Sequence, residues 1–172
     1  MSSGNFAGQY VVRFDSKHRV IVPLKLRETR DPEHPLLSTL YLTYGAEGCI
    51  AAYARDGWDR LMDEIGAGQA LADEDMRIVQ RLVAANADIR ECDVQGRITI
   101  SDKLRDYAGL TRDVVWVGVG GHAEIWDKDR WTEFEKKHIS QLEQKISIVS
   151  RFGMALPQKP VDQRPGPSGP SS

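Results

Sequence analysis

Residues 15–23 read DSKHRVIVP, and residues 93–101 read DVQGRITIS. The two stretches answer each other at an offset of 78: Asp15 falls on Asp93, Arg19 on Arg97, Val20 on Ile98 and Val22 on Ile100. The agreement runs on to Leu26 on Leu104 and Arg27 on Arg105. Further along the offset becomes 73, because the first copy carries an extra loop, TRDPEHP. Tyr53 then falls on Trp126, Asp56 on Asp129, Trp58 on Trp131 and Leu61 on Phe134. One structural unit has been used twice, and the fold has to be read from that repeat.

Each unit starts with a strand, a four-residue turn (DSKH or DVQG) and a second strand (RVIV or RITI). That pattern predicts a β-hairpin with a polar tip. A short helical turn follows. Pro23 suits the first helical position in one copy, and Ser101 suits an N-cap in the other. A second hairpin is predicted from LYLTY–GAEG–CIAAY and from VVWVGV–GGH–AEIWD. A helix then opens near Arg55-Asp56 or Lys128-Asp129. In the first copy Trp58, Leu61, Met62 and Ile65 recur at helical spacing. GAGQALADED interrupts them, and Met76 to Ala87 resumes with Ile78, Val79, Leu82 and Val83. In the second copy Trp131, Phe134, His138, Leu142, Ile146 and Val149 predict one long helix.

The expected fold class is α+β. Residues 7–56 and 87–130 are the two β units, 57–86 the connecting helices, 131–152 a C-terminal helix. Residues 153–172 are Pro-, Gly- and Ser-rich, cannot bury enough apolar surface to order themselves, and are expected to be disordered.

The fourth turn residue is His18 in one copy and Gly96 in the other. A site with φ > 0 takes Gly most easily, and His is among the few other residues enriched there. Asp15 and Asp93 stand where a carboxylate accepts backbone N–H groups two residues on. His18 and Gly96, with the two aspartates, are therefore the expected turn formers. Arg19 and Arg97, four residues after each Asp, either pair with those carboxylates internally or reach outward to an anion.

Composition narrows the function classes. The chain has 172 residues, 41% hydrophobic and 28% charged, enough for a real core. The N-terminus has no basic segment followed by an apolar one, and no apolar run approaches the roughly 20 residues that span a bilayer. Cys49 and Cys92 stand apart with no CxxC context, so a disulfide framework and a structural zinc site are not expected. His18, His34, His122 and His138 share no metal-ligand spacing, and His18 and His122 read as exposed turn residues. There is no phosphate-binding glycine loop, no G-x-S-x-G and no H-E-x-x-H. GVGG at Gly118–Gly121 precedes a strand, so it reads as a hairpin turn. Trp58, Trp126 and Trp131 read as core or intersubunit packing. Neither a cofactor nor a metal is expected.

The net charge of −2 conceals an asymmetry. Between Gln9 and Arg30 stand Arg13, Lys17, Arg19, Lys25, Arg27 and Arg30 against Asp15 and Glu28, a local balance of +4. Between Asp56 and Asp75 stands Arg60 against Asp56, Asp59, Asp63, Glu64, Asp73, Glu74 and Asp75, a balance of −6. Basic charge gathers at the first turn, and acidic charge on the helix beyond it.

DSKHRVIVP with LKLRE, and DVQGRITIS with KLRDYAGL, resemble the paired D-x-x-x-R signatures of the MraZ family. VVWVGVGGHAEIWD resembles that family's second-unit strand pair. The resemblance covers roughly residues 7 to 145. It implies two tandem AbrB-like (double-psi, or swapped-hairpin) units fused in one chain, and assembly into a ring. It further implies a bacterial transcriptional regulator that binds double-stranded DNA at direct repeats upstream of the division and cell-wall gene cluster. Such a protein belongs in the cytoplasm and on the nucleoid, with no membrane partner and no small-molecule substrate. His18 stands where the family usually has Gly, TRDPEHP is longer than usual, and the Pro-rich tail is not a family feature. Gln95 replaces Lys17 in the second signature, so the second turn is the less basic.

The expected DNA-binding residues are Arg13, Lys17, Arg19 and Arg97. The arginines contact phosphate or the guanine edge, and Lys17 and Arg13 act as phosphate anchors. The expected action is repression by occupying promoter repeats. The competing readings are an antitoxin-like regulator of the same fold, a ring-forming interaction protein with little DNA binding, and, last, an enzyme using a cysteine thiol with a histidine.

Overall fold

The polar turn at Asp15 does not close a paired hairpin. Asp15 N–H donates to the Arg19 carbonyl at 2.9 Å, but Arg19 N–H goes to the Asp15 carboxylate at 3.0 Å. The backbone ladder is diverted into a side chain after one step, and the flanking strands part. The computed structural model describes residues 6–28, 33, 36–66 and 74–150. In chain order the strands are β1 (Phe6–Arg13), β2 (Arg19–Ile21), β3 (Thr39–Tyr44), β4 (Ile50–Tyr53), β5 (Asp88–Glu91), β6 (Arg97–Thr99), β7 (Asp113–Gly120) and β8 (Ala123–Asp127). The helices are α1 (Leu24–Arg27), α2 (Arg55–Gly66), α3 (Glu74–Ala85), α4 (Asp102–Ala108), α5 (Lys128–Ile139) and α6 (Leu142–Ser150).

The chain is α+β, and its two copies interleave. The larger sheet runs β1-β7-β8-β4-β3-β5, and β2 and β6 form a separate two-stranded ladder. Every pairing is antiparallel. β1 pairs along its whole length with β7, from Phe6 opposite Gly120 to Arg13 opposite Asp113. β2 pairs with β6, and β4 with β8. The expectation that the two strands flanking DSKH pair with each other as a hairpin is therefore corrected: each finds its partner in the other copy. The second hairpin of each copy does form, as β3–β4 and β7–β8.

The repeat also sets the core. Val20 and Ile98, Val22 and Ile100, and Leu26 and Leu104 are equivalent pairs, and all six are at most 2% exposed. Burying each such side chain stabilises the fold by about 1.5–3 kcal/mol. β7 is buried at four successive residues, Val114 to Val117, as expected for a strand covered on both faces. Its Trp116 is the largest fully buried side chain, and the repeat alone did not reveal it. The closing helices carry one aromatic motif twice: Tyr53 and Trp58 meet edge to face at 6.2 Å and 64°, Trp126 and Trp131 at 5.4 Å and 63°.

Helix boundaries differ from expectation in three places. Pro23 is the N-cap of α1 rather than its first helical residue, and Ser101 is the N-cap of α4. α3 opens at Glu74, earlier than Met76. The long apolar stripe of the second copy is two helices. Gln141 N–H donates to His138 O at 3.1 Å, closing α5 with a tight turn, and Lys145 N–H donates to Gln141 O to start α6.

Residues up to Glu133 form one compact unit, and residues from Phe134 a second. In the latter the rings of Phe134 and His138 lie 4.6 Å apart. The 153–172 segment expected to be disordered lies outside the described residues, as does TRDPEHP apart from Glu33. No described helix is long and apolar enough to cross a membrane.

Candidate nucleic-acid interface

Both turns are built by one Asp. Oδ1 of Asp15 accepts the N–H of Lys17 at 2.9 Å and of Arg19 at 3.0 Å. Oδ1 of Asp93 accepts those of Gln95 and Arg97, both at 2.9 Å. His18 N–H and Gly96 N–H donate back to the Asp15 and Asp93 carbonyls. The fourth residue is left-handed in each, with φ 54° at His18 and 78° at Gly96.

The same carboxylates then bind the arginines. Arg19 brings Nε and Nη2 to Asp15 Oδ2, each at 2.8 Å. Arg97 brings Nε at 2.9 Å and Nη2 at 2.8 Å to Asp93 Oδ2. Each guanidinium also leans across to the other copy: Arg19 Nη1 lies 3.7 Å from Asp93 Oδ2, and Arg97 Nη1 lies 3.7 Å from Asp15 Oδ2. The four side chains form a closed, charge-balanced quartet, 27–32% exposed. The Asp15 carboxyl is lowered to about 2, chiefly by the Arg19 backbone N–H; partial burial opposes this, and the Arg19 side chain and Lys17 N–H reinforce it. Asp93 is lowered likewise, first by the Arg97 backbone N–H and then by its side chain.

Backbone bonds complete the junction. Val22 N–H donates to Gly96 O at 2.8 Å, and Ile100 N–H to His18 O at 3.4 Å. With Arg19 opposite Thr99 and Ile21 opposite Arg97, the antiparallel β2–β6 ladder carries one turn at each end, and the quartet ties their bases together. They make one ridge with two tips. Ser16, Lys17 and His18 are exposed on the first; Val94, fully exposed, and Gln95 stand on the second.

The basic charge read in the first copy is largely paired. Arg13, 58% exposed, reaches Asp113 at 2.6 Å, and this bond lowers the Asp113 carboxyl. Lys25 reaches Glu28 at 3.2 Å, and Arg19 is held in the quartet. Lys17 makes no ion pair among the described residues, so it is the exposed cation at the ridge. Arg27 packs against buried Gly96, where an added Cβ would lie 2.8 Å from its Cζ. No spacing rule on the sequence exposes the Arg13–Asp113 or Arg27–Gly96 contacts, because they join residues far apart in the chain.

Other singled-out residues lie elsewhere. His122, expected to be exposed, stacks on Tyr53 at 4.7 Å and 21°, because the β7–β8 turn folds over the start of α2. His34 lies outside the described residues. Trp126 is buried. Burial pushes the Cys49 thiol up to about 12, and it pushes the half-buried Cys92 thiol up as well. In both, burial favours the protonated thiol over the thiolate. The described residues hold no cluster of metal-ligating side chains.

The twice-used sequence unit has counterparts among known proteins. A family profile described as "MraZ protein, putative antitoxin-like" matches residues 5–82 and again 83–147. A Transcriptional regulator MraZ of Acetivibrio thermocellus is 38% identical over 149 residues, covering 87% of this chain and 97% of its own. One of Clostridium beijerinckii is 37% identical over 134 residues, covering 78% and 89%. One of Lachnoclostridium phytofermentans is 34% identical over 151 residues, covering 88% and 99%. With two family matches spanning most of its length and relatives matched over nearly theirs, the chain belongs to the MraZ family.

Proposed function

We propose that this chain is a transcriptional regulator that binds double-stranded DNA along the ridge made by its two turns. The observation that carries the reading is the quartet, which ties two exposed turns into one ridge with Lys17 on one of them. A two-stranded β-ribbon enters a major groove roughly 12 Å wide. Lys17 anchors a phosphate, and Arg13 joins it from the end of β1. Arg19 and Arg97 hold the turns through their carboxylates. Both guanidiniums remain 27–28% exposed, and that exposed part reaches the DNA as a second duty. The names of the relatives support regulation of transcription.

A single ridge with so little unpaired charge binds weakly and loses affinity with salt. Assembly of copies into a ring places many ridges on one rim, and direct repeats then hold them through effective concentration. On this reading the protein is cytoplasmic and nucleoid-associated. It represses from repeats upstream of the division and cell-wall genes, and its acidic α2 faces away from the DNA. The test is binding to a duplex from upstream of its own gene beside a scrambled duplex, across a salt series. Preferential binding that falls with salt is expected, together with its loss in Arg19→Ala and Arg97→Ala variants that keep their circular dichroism. Equal, weak binding to both duplexes at low salt would contradict it.

A further inference from the structure

The two tips share a scaffold and differ in chemistry. Ser16, Lys17 and His18 occupy one; Val94, Gln95 and Gly96 occupy the other. Turns favour Gly, Pro, Asn, Asp and Ser for stated backbone reasons, and a β-branched residue meets none of them. Yet Val94 stands at the turn with its side chain 106% exposed, packed against nothing. The Gln95 backbone N–H is already used by Asp93, and its side-chain amide is exposed. Neither side chain contributes to the fold, and neither carries charge to attract phosphate.

From this we infer that the second tip is the base-reading element, and that Val94 and Gln95 select an A·T pair in the major groove. The inference rests on the DNA-binding reading above and assigns its specificity. A glutamine amide matches adenine, donating to N7 and accepting from the N6 amino group. An exposed apolar side chain beside it suits the C5-methyl of thymine, which only the major groove displays. Adjacent residues thereby meet both features of one kind of base pair. Lys17 holds the backbone meanwhile. His18 lies opposite Ile100 and Gly96 opposite Val22, four residues apart along β2, so the turns are offset by roughly 13 Å along the strand. That is about four base-pair steps at 3.4 Å each, so phosphate anchoring and base reading fall within one half-site.

The test is selection of the full-length protein on a randomised duplex pool, followed by affinities for the enriched duplex. Wild type should enrich a motif containing an A·T pair. In Gln95→Ala the preference for that pair should fall about tenfold. Gln95→Arg should move the preference to G·C. Replacing the thymine of that pair by uracil should weaken wild type several-fold and leave Val94→Ala unchanged. Lys17→Ala should weaken every duplex alike and keep the motif. If wild type enriches a motif that Lys17→Ala weakens but that survives unchanged in Gln95→Ala and Val94→Ala, base reading by the second tip is wrong and the DNA-binding reading stands. If wild type enriches nothing even at low salt, both fall together.

Discussion

The two halves of this chain perform the same structural task with different residues, and the differences separate scaffold from function. Asp15 and Asp93, Arg19 and Arg97, Val20 and Ile98, and Leu26 and Leu104 occupy equivalent places with matching bonds and burial. Those are the scaffold positions. The halves diverge at Lys17 against Gln95, at His18 against Gly96, and at Ala54 against Asp127. The first contrast lies on the exposed ridge and concerns partners. The other two concern turn conformation and helix capping, and so stability.

The largest expected effect breaks the contrast at the closing helices. Asp127, 5% exposed, accepts Thr111 N–H and Oγ1–H and the N–H groups of Asp129 and Arg130, capping α5. Burial pushes its carboxyl up, but those bonds prevail and hold it below the usual range. Asp127→Ala should cost about 3 kcal/mol in urea unfolding. Ala54, the equivalent residue of the first half, shows that α2 is held without such a cap. Gly96→Ala comes next. It forces a side chain into a left-handed backbone against Arg27 and should cost about 2 kcal/mol.

The ridge contrast is smaller and is read in binding. Gln95→Lys makes the tips alike, and should raise affinity for a scrambled duplex several-fold at low salt and steepen the salt slope by about one. His18→Gly relieves the steric cost at φ 54° and should stabilise the protein by about 0.5–1 kcal/mol, the reverse in sign of Gly96→Ala. The smallest effect is in acid. Folding lowers the Asp15 carboxyl from an ordinary 3.8 to about 2, so its contribution is full above pH 4 and is lost as pH falls through 2. Asp15→Asn should flatten that part of the pH–stability curve and leave the neutral-pH slope unchanged.

The repeat made much of this legible. Twofold use of Asp, Arg and the Val/Ile pairs identified the turns, the core rows and both β-meander hairpins, because those depend on local spacing. Pairing partners were not legible. A turn followed by apolar alternation reads as a hairpin, and nothing local says that the Arg19 N–H will bond a carboxylate instead of continuing the ladder. Charge counting along the chain likewise saw a +4 segment. It could not see Asp113, a hundred residues away, beside Arg13. Val94 drew no attention because one apolar residue in a turn breaks no spacing pattern. Its meaning comes from its exposure.

The central claim, that the paired turns form the DNA-binding ridge, is tested most directly by fluorescence anisotropy of wild type, Lys17→Ala and Arg60→Ala. The probe is a labelled duplex from upstream of the protein's own gene, over a salt series. Arg60 is an exposed cation on acidic α2, 57% exposed and paired with Asp56. The account predicts that Lys17→Ala weakens binding and lowers the salt slope by about one per bound ridge, while Arg60→Ala changes neither. Equal losses in the two variants, or no loss in Lys17→Ala, would place the DNA elsewhere on the molecule.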